Sequence, residues 1–131
     1  MGLEIPLSEE LTAELFEFWV EIFGNQPDLT KGVLLGEEQE HNRNTLYLTK
    51  LGDKMAGTCV VTTSNRVPIL GGFGEVATAP EFRRHGIATG LCEQAVEGFR
   101  AGGGEAIFLG TGNPEAARVY HRLGWRKLAG A

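Results

Sequence analysis

Between Leu11 and Phe23 the apolar residues Leu11, Leu15, Phe18, Trp19, Ile22 and Phe23 recur every three or four positions, the spacing of one helix face. Ser8 stands where an N-cap belongs, Glu9 and Glu10 fall in the first turn, and Gly24 ends the run. Ahead of this helix, Leu3 to Leu7 predicts a short first strand. From Asn25 to Asn44 the periodicity fades and Pro27, Gly32 and Gly36 interrupt it, which predicts a loop with at most a short helix near Leu29 to Leu35. The pattern then turns to strand. Thr45–Leu51 and Met55–Thr63 are β-branched and apolar on either side of Gly52-Asp53-Lys54, a hairpin. After a break at Ser64 to Pro68, Ile69 to Thr78 predicts a further strand, and its Gly71, Gly72 and Gly74 mark a bulge or a close backbone approach. Pro80 stops it, and from Gly86 the helical spacing returns with Ile87, Leu91, Ala95 and Phe99 until Gly102-Gly103-Gly104. Glu105 to Leu109 predicts a strand parallel to the previous one across this helix. Gly110 to Asn113 is a tight exit, and Pro114 opens a last helix with Ala116, Val119, Tyr120 and Leu123 on one face. Arg126 to Ala129 is placed to begin a sixth strand.

Composition narrows the class without naming a function. At 131 residues and 42% hydrophobic residues, the expectation is one domain over residues 1–131 with its own core. The apolar runs are too short to span a membrane, and Met1 to Leu7 carries Glu4 in place of the basic start of a signal peptide, so a cytoplasmic protein is expected. Cys59 and Cys92 lie apart, in an apolar strand and a helix, and read as small buried hydrophobes. Charge is unevenly spread. Residues 1 to 40 hold ten acids against Lys31 alone, a net of −9, whereas residues 41 to 131 hold seven acids against eleven Lys and Arg, a net of +4. A basic C-terminal part suits a phosphate-rich cofactor, and an acidic N-terminal part disfavours nucleic acid while tolerating a cationic acceptor. For single glutamates a solvated helix face is the plainer reading.

The stretch Glu75 to Leu91 is where chemistry concentrates. It reads as a strand that stops at a proline, a loop with Arg83, Arg84 and His85, and a helix whose first turn holds the small residues Gly86, Ala88 and Gly90. Unpaired N–H groups at such a helix start, exposed by small side chains, favour an anion such as phosphate. The spacings of a Walker loop and of a dinucleotide-binding turn do not occur here. What occurs is Arg83-x-x-Gly86-x-Ala88, which resembles the pyrophosphate-binding signature of the GNAT family of N-acetyltransferases. Downstream, Asn113-Pro114-Glu115-Ala116-Ala117-Arg118-Val119-Tyr120-His121-Arg122-Leu123-Gly124-Trp125 resembles the same family's later signature. Two ordered motifs at compatible spacing are hard to obtain by accident, and the resemblance covers roughly Thr45 to Lys127.

The resemblance implies an α/β (α+β) fold with a mixed, mostly antiparallel central sheet, a parallel β-α-β cofactor unit, two splayed strands and helices on both faces. It implies acetyl-CoA (CoA) as the cofactor. Backbone N–H groups of Arg84, His85, Gly86, Ile87, Ala88 and Thr89 would cradle the pyrophosphate, helped by the Arg83 and Arg84 side chains and the Thr89 hydroxyl. Val76, Ala77 and Thr78 would hydrogen-bond the pantetheine arm as an added strand, and Asn113 resembles the family asparagine that bonds the same arm while also capping a helix. The family's final strand is missing from the sequence as read. That implies an uncovered sheet edge, and with it either a homodimer or a piece of a longer chain.

For the reaction, Tyr120 is the candidate proton donor to the departing thiolate, since a phenol of pKa about 10 lies close to a thiol of about 8.5. Position alone would make it a core tyrosine. Glu75, the only carboxylate inside an apolar strand, is the candidate base, with relay through water as the alternative. His41, His85 and His121 have neither triad nor metal-ligand spacing, so no metal is expected. The expected function is transfer of an acetyl group from acetyl-CoA to a primary amine by direct attack in a ternary complex. The acceptor is a small molecule or a protein rather than nucleic acid or membrane, at a site bordered by Asp28, Glu37, Glu38 and Glu40. A non-catalytic acyl-CoA-binding module of a larger protein is the alternative.

Overall fold

The computed structural model describes residues 2–26 and 29–128. Helix α1 (Glu9–Phe23) starts at Ser8, whose hydroxyl accepts from the Leu11 N–H, and ends at Gly24. A short α2 (Leu29–Leu34) follows, then β2 (Asn42–Leu51) and β3 (Lys54–Ser64), with β1 (Leu3–Glu4) ahead of them all. The hairpin is tighter than its sequence predicts. Lys54 pairs with Leu51 and belongs to β3, so the turn is Gly52-Asp53, and β2 starts three residues early because Asn42, Arg43 and Asn44 also find partners across the hairpin. Strand β4 (Leu70–Thr78) leads through a 3-10 turn (Pro80–Phe82) to α3 (Ile87–Ala101), β5 (Ala106–Phe108) and α4 (Pro114–Arg122). The expected strand at Arg126 to Ala129 does not form over residues 126–128, which carry no regular structure, and Ala129 lies outside the described residues.

The five strands lie in the order β1-β2-β3-β4-β5, antiparallel except for β4 and β5, which are parallel. Strand alternation sends side chains to two faces, and both are covered. One face carries Leu46, Met55, Val60 and Ala77 under Leu15, Phe18 and Trp19 of α1 and Leu34 of α2. The other carries Tyr47, Cys59, Val61 and Phe73 against Leu91, Cys92, Ala95 and Phe99 of α3, with Tyr120, Leu123 and Trp125 packed at its margin. Each of the large core side chains contributes about 1.5–3 kcal/mol through burial. Both cysteines are free and buried, and burial pushes the Cys59 thiol up to about 12 and the Cys92 thiol to about 11. These are inert packing groups.

Between the pairs Thr58↔Ala77 and Val60↔Gly74, β4 uses one residue more than β3, so Glu75 and Val76 together oppose Cys59. This is the bulge that the glycines predicted, displaced past Gly74 onto Glu75, which takes a left-handed φ of 52°. A buried relay pins it. The Trp19 indole N–H donates to the Thr58 hydroxyl at 2.9 Å, and that hydroxyl donates to the Glu75 carbonyl at 2.9 Å. Thr58→Val keeps the shape of the side chain but strands a buried indole N–H and the bulge carbonyl. The expected loss is about 1–3 kcal/mol of unfolding free energy in urea titration. Stability equal to that of the parent protein would show that the relay does not hold the bulge.

Candidate active site

Past Gly72 and Phe108 the β4–β5 ladder stops, and the two strands part. The gap is a cleft of about 340 Å³, walled by Gly72 to Glu75 of β4 and Phe108 to Gly110 after β5, with Val60 and Thr62 of β3 beside them. Downstream of the bulge, Ala77 and Thr78 pair only with Thr58 and Gly57 of β3. The opposite edge of β4 at Val76, Ala77 and Thr78 therefore has no strand partner among the described residues. Gly57 also sets where α3 begins. A Cβ there would stand 2.6 Å from Ile87 Cγ2, so only glycine lets the first turn of α3 settle beside the end of β4.

The loop into α3 is shaped by two left-handed residues, Arg84 (φ 66°) and Gly86 (φ 75°). No side chain caps the helix at Gly86, which leaves the N–H groups of Ile87, Ala88 and Thr89 directed out of the first turn without an intrahelical acceptor. Arg83, Arg84 and His85 are exposed around it. Glu75 and Arg84 are the two non-glycine residues of positive φ among the described residues. Such conformations cost about 1–3 kcal/mol each and persist where the surrounding structure imposes them. One sits in the cleft wall and the other in the loop that opens α3.

A sequence model of the acetyltransferase (GNAT) family matches residues 9–125. The chain belongs to that family. No curated protein sequence matches it significantly, but many solved structures share the fold. It is similar to a putative acetyltransferase from Agrobacterium tumefaciens (TM-score 0.76, 14% identity, 98% of this chain and 96% of that one). It is similar also to the ribosomal-protein-S18-alanine N-acetyltransferase from Escherichia coli (TM-score 0.73, 16% identity, 98% and 80% covered). A third is AAC(6')-Iy in complex with the bisubstrate analog CoA-S-monomethyl-acetylneamine (TM-score 0.71, 14% identity, 97% and 92% covered). At these identities the likeness is one of fold.

Glu75 lines the cleft, and partial burial there raises its carboxyl above the usual carboxylate range although the residue as a whole stays exposed to water. Tyr120 is not among the residues that line the cleft. Its ring meets Phe73 edge-on at 6.4 Å and Trp125 at 6.2 Å on the α3 face of β4. Burial, helped by Cys92 and Cys59, pushes its phenol up to about 12. Asn113 caps α4, its side-chain oxygen accepting from Glu115 and Ala116 N–H, so its NH2 group remains available to donate.

The acidic N-terminal third is less separate than its sequence implies. Glu4 pairs with Arg43 and Glu14 with Lys50, exposed contacts that tie it to β2 and contribute little each. Glu38 turns inward to Asn44, Lys31 rests over the Phe16 ring, and Asp28 lies outside the described residues. Thr58, which holds the bulge in the cleft wall, is not singled out by the sequence. Its sequence signal is a hydroxyl amid the apolar run Met55 to Val61. Among the described residues no helix is long and apolar enough to cross a membrane.

Proposed function

We propose that this chain is a single-domain N-acetyltransferase that moves an acetyl group from acetyl-CoA to a primary amine, within one ternary complex. What carries the reading is the continuity of three features: an uncapped helix start at Gly86, an unpaired β4 edge at Val76 to Thr78, and a cleft beginning at the bulge. These suit a diphosphate, an amide-bearing arm and a thioester in that order. Arg83, Arg84 and His85, with the N–H groups of Gly86, Ile87, Ala88 and Thr89, take the pyrophosphate. Val76, Ala77 and Thr78 pair with the arm, and the Asn113 NH2 donates to it.

Acetyl-CoA supplies an acyl carbon open to attack. The amine nitrogen forms the C–N bond as the C–S bond breaks, the nitrogen gives up a proton, and the departing sulfur gains one. Glu75, on the cleft wall, receives the first proton, and Tyr120 donates a hydrogen bond to the sulfur. A raised Glu75 pKa makes its sign definite: the base is present above that pKa and is lost as pH falls through it. Glu75→Gln should therefore lower kcat by about 10²-fold and remove the acid limb that Glu75 sets on the kcat profile. A profile that keeps that limb would assign the base to water alone.

The acceptor is a small-molecule or protein amine, and Glu75 with Glu37 and Glu40 gives the surroundings the sign that concentrates cations and repels polyanions. The test of the whole reading is CoA release from acetyl-CoA across a panel of primary amines, beside calorimetric binding of acetyl-CoA. Binding with no release for any amine would favour an acyl-CoA-binding module instead.

A further inference from the structure

The acceptor's side of the cleft carries a polar relay that the cofactor site does not use. After α2, the Glu38 carbonyl accepts from His41 and Asn42 N–H at 2.9 Å each, which fixes the loop where its side chain reaches the sheet. Glu38 Oε1 accepts from Asn44 Nδ2 at 2.7 Å, and Asn44 Oδ1 accepts from the Thr62 hydroxyl at 2.5 Å. Asn44 is buried, so its orientation is not averaged by water.

The chemistry of these three groups runs in one direction only. A carboxylate has no proton to give, so Asn44 must turn its NH2 to Glu38 and its oxygen to Thr62. Thr62 must then spend its single proton on Asn44. What remains on the Thr62 oxygen is lone pairs, so it can serve a cleft ligand as an acceptor and not as a donor.

The space beside Thr62 is open by construction. Its cross-strand partner is Gly72 and that of Val60 is Gly74, so β4 sends no side chain over either residue. A Cβ at Gly74 would meet no atom within 4 Å, and one at Gly72 only the Thr62 carbonyl oxygen at 3.9 Å. Thr62 and Glu75 line the same cleft.

We infer that Thr62, polarised by Asn44 and Glu38, is a specificity-determining residue that selects acceptors by their N–H donors. Resting on the transferase reading, this assigns recognition of the acceptor to its N–H donors: the amine arrives as the ammonium ion, pairs with Thr62, and loses one proton to water before the neutral nitrogen attacks. Thr62 takes one N–H and holds the nitrogen over the glycine floor, and Glu75 supplies the opposite charge. A group of equal charge without N–H leaves the Thr62 lone pairs unpaired, a mismatch that polar sites reject more strongly than they reject a change of size.

The test uses the N–H shifts of Gly72 and Gly74 as reporters of the cleft, titrated with n-butylammonium or n-butyltrimethylammonium, which share charge and alkyl chain. The parent protein should bind the primary ammonium at least ~10-fold more tightly. Thr62→Val, of the same shape, should abolish that preference, Thr62→Ser should restore it, and Glu38→Gln, whose amide can also donate and so frees Asn44 to flip, should weaken it. Discrimination that came from headgroup size would survive in Thr62→Val. That survival, equal binding of the two cations by the parent protein, or no response to n-butylammonium overturns the inference. CoA release is measured in parallel. If the parent discriminates but releases no CoA with n-butylamine, the transferase reading falls and the subsite stands. If CoA is released at a rate and KM that Thr62→Val leaves unchanged, the subsite falls and the transferase reading stands.

Discussion

Gly86→Glu should lose acetyl-CoA binding by ~10²-fold or more in calorimetry while the protein stays folded. The position takes φ 75°, and a Cβ there would meet nothing within 4 Å, so the new side chain costs backbone strain but no collision. That strain is about 1–2 kcal/mol for a residue other than glycine. Against it, a carboxylate at the start of α3 interacts favourably with the helix dipole and with first-turn N–H groups that no side chain caps in the parent protein. The same carboxylate then occupies the cradle. Two like charges about 4 Å apart repel by about 4 kcal/mol at an effective dielectric near 20, or about 10³-fold, of which solvent screening removes a part. Gly86→Asn tolerates the left-handed conformation without the charge, so it should keep most of the affinity and separate charge from strain. Affinity unchanged in Gly86→Glu would move the pyrophosphate elsewhere.

Periodicity carried the fold because most elements here obey it locally. The Leu11 to Phe23 stripe, the Gly102 stop and the Pro114 start each have a local cause, and each lies within a residue of its expected place. Pairing across strands is not local, and that is where the boundaries moved. Asn42, Arg43 and Asn44 look like loop residues alone and become strand because Ser64, Thr63 and Thr62 lie opposite. Residues 126–128 have the composition of a strand edge, yet β5 is three residues long and gives them no ladder to join.

The site divides the same way. Its proposed cofactor half is a contiguous motif, legible because Gly86, Ala88 and the basic loop are neighbours along the chain. Its proposed acceptor half is assembled by register. Thr62 matters because Gly72 lies opposite and Asn44 lies beside it, and no spacing along the chain announces either fact. Glu75 was legible as an isolated carboxylate in an apolar strand. That it would be the bulge residue itself, its carbonyl held by Thr58, follows only from the buried relay to Trp19.

Tyr120→Phe should lower kcat by between about 10- and 10²-fold and leave acetyl-CoA affinity and unfolding free energy nearly unchanged. Packing explains the ring, which leans on Phe73 and Trp125, but not the hydroxyl. Among the described residues nothing hydrogen-bonds it, and it is not fully closed off from solvent. A hydroxyl that is unbonded and still reachable is one that a ligand can use. With its pKa pushed up to about 12, the phenol keeps its proton throughout the physiological range and acts as a donor, never as a base. That same shift limits what it does. A thiolate of pKa about 8.5 is a weaker base than this phenolate, so complete proton transfer is uphill by roughly 5 kcal/mol, at about 1.4 kcal/mol per pKa unit. The contribution is instead a hydrogen bond to charge developing on sulfur, about 1.5–3 kcal/mol, with water completing the transfer. This magnitude sets the expected loss in rate, and it places the failure of the donor only where pH rises through about 12. A purely structural tyrosine predicts full turnover in the phenylalanine variant, and single-turnover measurement of CoA release at saturating acetyl-CoA separates the two outcomes.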